Sequence, residues 1–175
     1  MGFMSMAHCN SVKTALEEVY EAKVVMLPEI EIPEHTYVNI KSPRYRADKL
    51  IKDLKENQPA GIDFTIGLIS KDISTTKRTA DAEIKKPQSK YEDWGIFGLG
   101  YRPGPSCIVS TFRLECKNQK LFYSRLQKIA VHEIGHNLGL PHCPDKACVM
   151  QDAAESISTI DNVSMILCAK GKGKI

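Results

Sequence analysis

Eleven residues, His132 to His142 (HEIGHNLGLPH), place three imidazoles and one carboxylate at spacings that suit a divalent metal. A helix turns about 100° per residue, so His132 and His136 share one face, about 6 Å apart along the axis. Two imidazole nitrogens at that spacing reach one ion at roughly 2.0–2.1 Å. Glu133 is rotated by about 100° from His132. It therefore flanks the ion and can hold a water on it, where it would act as a general base. Gly139 is the natural end of the helix, because glycine enters the left-handed cap conformation without steric cost. Pro141 cannot continue a helix, which lets His142 return as a third ligand. A bare HExxH has a plain reading, two histidines on a helix face with no metal. The added glycine, the third histidine and Met150 shortly after favour a catalytic zinc.

HEIGHNLGLPH matches the HExxHxxGxxH motif of metzincins. Cys143, Cys148 and Met150 behind it resemble the narrower archaemetzincin (archaelysin) family of zinc metallopeptidases. The resemblance runs from about Trp94 to Cys168. It implies a zincin-like fold and a catalytic Zn2+ on His132, His136 and His142. It also implies peptide hydrolysis by a zinc-bound water that Glu133 activates, with Met150 as an apolar floor. Gln151 and Asp152 follow Met150 where some metzincins carry a tyrosine that assists the transition state.

The family also holds a second, structural zinc on four cysteines. Cys143, Cys148 and Cys168 match three of them, and Gly171 stands in the fourth place. Structural zinc prefers four protein ligands. The place could be filled by Cys107, Cys116 or a histidine, or by water. Otherwise the site is lost and the thiols are buried. His8, His35 and Cys9 have no partner at ligand spacing and read as structural or surface residues.

Several elements must position these groups. An apolar helix over Lys120 to Leu138 carries the motif, anchored by Leu126, Ile129, Ala130 and Ile134. Phe64 to Ser70 (FTIGLIS) reads as a buried strand, central in the resembled family. Trp94 to Leu114 reads as two strands joined through Arg102 to Pro105. The second, over CIVSTFRL, resembles the family's strand that borders the cleft, an edge able to pair with an extended peptide; otherwise it is an interior strand that touches no ligand. Helices are expected over Val12 to Lys23, N-capped by Ser11, over Arg46 to Asn57, and over Asp152 to Cys168. Val24 to Leu27 is β-like, and Val38 with Ile40 suggests another strand. The polar stretch Lys71 to Asp93 reads as a long connection or flap.

The length of 175 residues fits one domain, expected over 1–175. The expected architecture is a zincin-like α/β (α+β) domain, a twisted mixed sheet packed on helices. A net charge of +3, partly from the terminal KGKGK, makes no case for nucleic-acid binding. No apolar run approaches the roughly 18 residues that span a bilayer. The N-terminus lacks the features of a signal peptide, and the cysteines fit reduced thiols, so a cytoplasmic location is expected; a monomer is expected separately. The partner is a peptide or protein substrate. The rival reading is a latent zinc-binding scaffold with little turnover; Glu133 argues against it, since a purely structural zinc needs no base beside it.

Overall fold

A computed structural model describes residues 4–152 and 156–175. In chain order the elements are α1 (Met6–Tyr20), a 3-10 turn (Glu34–Thr36), β1 (Tyr37–Asn39), β2 (Pro43–Arg46), α2 (Ala47–Glu56), β3 (Thr65–Ile69), β4 (Ile73–Thr75) and α3 (Gln88–Tyr91). There follow β5 (Trp94–Ile96), β6 (Gly98–Gly100), β7 (Ser106–Ser110), α4 (Gln119–Asn137), α5 (Ile157–Asn162) and α6 (Ala169–Lys172).

The layers form around β7. All five of its residues are buried. Successive side chains of a strand point to opposite faces. Cys107 and Val109 accordingly join a core with α1 and α4, while Ile108 joins a second core under α2. Helices thus cover both faces of the sheet around β7, an α/β arrangement. In α2, Leu50, Ile51 and Leu54 are the buried stripe; each such side chain contributes roughly 1.5–3 kcal/mol on burial.

The strands form two mixed sheets, ordered β1-β2-β4-β5 and β3-β7-β6. β3 runs parallel to β7 and β6 antiparallel to it. Only Phe97 separates β5 from β6, and its carbonyl accepts from Ser110 N at 2.8 Å. The sheets are also joined by charge. Buried Asp72 accepts from Arg44 Nε at 2.8 Å and from Arg113 Nε at 2.6 Å. Such pairing is what a buried carboxylate requires.

Several expectations are corrected. The 107–114 segment is not a cleft edge: β7 lies inside its sheet, and β3, expected to be central, lies at that sheet's edge. The cleft edge is β6, whose glycines give no apolar alternation to read. The 71–93 stretch is not a featureless connection, since it holds β4 and α3. β4 is three residues long, too short for periodicity to register. α1 starts six residues before the expected Val12, with Ser5 rather than Ser11 as its cap: Ser5 Oγ accepts from His8 N at 3.3 Å. Val24 to Leu27 forms no strand. The helix expected over Asp152 to Cys168 shrinks to α5, and positions 153–155 lie outside the described residues. Beyond Asn162 the chain is drawn back to the cysteine loop, with Ser164 N bonded to Ala147 O at 2.9 Å and Val149 N to Ile166 O at 3.1 Å. No described helix is long and apolar enough to cross a membrane.

Candidate active site and cysteine cluster

α4 carries His132, Glu133 and His136 in its buried last turns. Leu138 leaves the helix, Gly139 takes φ +90°, and His142 swings back toward the two helical histidines. The ring centroids of the three lie 4.6, 4.9 and 5.3 Å apart. This turn is the one the motif predicts, and it depends on a left-handed residue at 139.

Each helical imidazole is oriented by its Nδ1. His132 Nδ1 lies 2.8 Å from Val149 O, and His136 Nδ1 lies 2.8 Å from Leu140 O. A carbonyl can only accept, so both Nδ1 atoms carry the proton and both Nε2 atoms present lone pairs. His136 Nε2 stands 3.2 Å from His142 Nε2. Two nitrogens bound tetrahedrally to one zinc at about 2.05 Å sit roughly 3.3 Å apart. The described histidines therefore fit a metal, and one ligand atom from each lies within 4.8 Å of the others. His142 Nδ1 is 3.5 Å from Asp152 Oδ2 at the rim.

Burial tunes these groups. It pushes His132 down to about 3, helped by the nearby His136, and His136 down to about 4. Both rings are thus neutral at pH 7, the form that binds metal. Burial alone raises Glu133 to about 8. A divalent ion beside the carboxyl would reverse that shift by favouring the charged form.

Glu133 faces a cleft of about 400 Å³ bounded on the other side by β6. Gly98 and Gly100 make that approach possible. A Cβ on Gly98 would lie 2.7 Å from Glu133 Oε1, and one on Gly100 would lie 3.2 Å from Oε2. Residues i and i+2 of a strand share a face, so the GLG spacing was the readable signal for this pair. Beneath the helix, Met150 is buried and its sulfur packs where Gly135 lacks a Cβ. Tyr20 Oη donates to Val131 O at 2.6 Å and fixes α1 to the active-site helix. Asn137 Nδ2 donates to Tyr101 O at 3.1 Å and Ser106 O at 2.9 Å. No short motif signals these last two contacts, because their partners are distant in sequence.

Cys143, Cys148 and Cys168 also come together. Cys143 Sγ and Cys168 Sγ are 3.7 Å apart; two thiolates on one tetrahedral zinc sit about 3.8 Å apart. The backbone N–H of Gly171 lowers the Cys168 thiol, whereas burial raises Cys148. A Cβ on Gly171 would stand 3.9 Å from Cys168 Sγ, so this glycine borders the cluster. Cys107 is buried in β7 and Cys116 is exposed, and neither belongs to the group.

A metal-competent histidine trio on a helix and its return bend, with a sheet edge across the cleft, defines a zincin-type metallopeptidase. The sequence model of peptidase family M54 matches residues 5–175. The chain belongs to peptidase family M54 and is a zinc-dependent metallopeptidase acting on peptide or protein substrates. The archaemetzincin of Halobacterium salinarum is 30% identical over 164 residues, 89% of this chain and 84% of that protein. The crystal structure of archaemetzincin from Methanopyrus kandleri superposes with a TM-score of 0.80 at 26% identity, covering 99% of this chain and 87% of that one. That of archaemetzincin from Archaeoglobus fulgidus, complexed with malonate, gives 0.77 at 25% identity, covering 98% and 94%.

Proposed function

We propose that His132, His136 and His142 hold the catalytic zinc through Nε2 and that Glu133 is the general base of peptide hydrolysis. The observation that carries this reading is the convergence of the His136 and His142 Nε2 atoms at 3.2 Å on the cleft that the Glu133 carboxyl faces. Zinc supplies Lewis acidity, polarising the peptide carbonyl and acidifying a water. Glu133 takes the proton of the attacking water and returns it to the leaving amine. Val149 O and Leu140 O keep both helical imidazoles in the ligating tautomer. Buried Met150 supports the helix from below without binding metal. Family membership favours this reading over a latent scaffold.

The test uses quenched peptides and zinc analysis on wild type and Glu133→Gln. The variant is expected to keep zinc and lose hydrolysis by about 10²- to 10⁴-fold. Equal hydrolysis by both proteins would refute the role.

For the second zinc, the sulfur spacing of 3.7 Å supports a site on Cys143, Cys148 and Cys168 with a non-cysteine fourth ligand. Metal per chain near two in wild type, falling toward one in Cys148→Ser, is the expected result; a value near one in both excludes the site. The same reading takes the protein as a cytoplasmic monomer needing neither nucleic acid nor membrane. A dimer mass by light scattering in solution would contradict the monomer.

A further inference from the structure

Arg102 stands in the wall of the same cleft, and the hydrolytic chemistry above leaves it without a task. Its side chain is exposed, and among the described residues it has no hydrogen bond or ion pair. It lines the same cleft as His132, His136 and His142.

The loop that carries Arg102 is fastened at both ends. Buried Asn137, the residue after His136, donates to Tyr101 O at 3.1 Å and to Ser106 O at 2.9 Å. Gly104 N donates back to Asn137 O at 3.2 Å. Arg102 is thus presented beside a metal ligand by the helix that carries that ligand. Further along the cleft, Lys77 lies 4.6 Å over the Trp94 ring. The described acidic residues lining the cleft are Glu133, which the chemistry occupies, and Asp152, beside His142. A guanidinium lining a cleft that holds a dication favours an anion between the two charges. A planar carboxylate is the group its fork of donors fits best.

We propose that this cleft selects acidic peptides, with Arg102 binding a substrate carboxylate next to the scissile bond. The proposal rests on the reading that the three histidines hold zinc in a peptide-hydrolysing site. The carboxylate comes from an Asp or Glu side chain or from a free C-terminus. Peptides with Glu or Gln at each flanking position, and with free or amidated ends, separate the two sources.

In the zinc-loaded enzyme, kcat/KM is expected to favour the better carboxylate series over its amide counterpart by roughly 10- to 100-fold, the size of a hydrogen bond to a charged group. Arg102→Gln is expected to bring that ratio near one, and Arg102→Glu to turn the preference toward lysine peptides. A wild-type ratio near one for both series, or a ratio that survives in Arg102→Gln, overturns the proposal. Anisotropy with fluorescent peptides on zinc-loaded Glu133→Gln repeats the comparison without turnover. If wild type hydrolyses no peptide, the general-base reading falls, while the same Arg102-dependent ratio in binding still decides for or against acidic selection.

Discussion

The clearest consequences at the scale of single residues concern protons. In zinc-free protein, His132 and His136 fall from 6.5 to about 3 and about 4. The unfolded chain then binds more protons than the folded one below pH 6.5, so acid removes stability, by ~1.4 kcal/mol per group per pH unit between its two values. Glu133 has the opposite sign. Its value rises from 4.5 to about 8, so its contribution is full below 4.5 and is lost as pH climbs toward 8. Together these three groups predict greatest stability of the metal-free protein near pH 6.5. Urea midpoints of zinc-free protein across that range check this; Glu133→Gln should abolish the decline on the alkaline side. The β6 glycines give a second prediction. Gly98→Ala puts a Cβ 2.7 Å from Glu133 Oε1 and must move the carboxyl. Hydrolysis is expected to drop about 100-fold with zinc content unchanged, the cost of an ångström-scale misplacement. Unaltered turnover in this variant would show that the carboxyl tolerates the shift. His132, Glu133, His136 and His142 were legible in the sequence because one helix and one bend set all four. Gly98 and Gly100 offered only their GLG spacing and Arg102 no signal, because only tertiary folding brings the 98–102 strand and loop against α4.

Elements read well where side chains alternate and poorly where contacts elsewhere decide. α2 and α4 carry amphipathic or apolar runs, and both were found within a residue or two. The last helix was overestimated because Ile157, Ile160 and Val163 keep a helical period that the cysteine cluster overrides beyond Asn162. The edge role was given to β7 by its resemblance to the family's cleft strand, whereas β6 is Gly-Leu-Gly and shows no alternation to read. Asn137→Ala leaves Tyr101 O and Ser106 O without their side-chain donor. The expected loss is about 1–3 kcal/mol in denaturant unfolding, the net worth of two hydrogen bonds, since Ser106 O still accepts from Tyr101 N. Tyr20→Phe, which removes one hydroxyl from Val131 O, should cost about 1 kcal/mol.

Across the whole molecule, the α/β architecture and the metallopeptidase class followed from one motif and the family it resembles, while the pairing order of the sheets did not. Three-residue strands carry too little pattern to fix their neighbours. The proposed single domain over 1–175 predicts one cooperative calorimetric transition in the zinc-free protein; two separated transitions would contradict it. The C-terminal segment also reaches the chemistry. Ile166 O holds Val149 N, and Val149 O orients His132. Ending the chain after Asn162 is expected to weaken zinc retention at the histidines, measured by competition with a chelating dye, although every histidine is kept. A ribosome that pauses before Ile166 has already made the whole HExxHxxGxxH motif but not the carbonyl that holds Val149, so the nascent polypeptide is expected to grip zinc less firmly than the longer one.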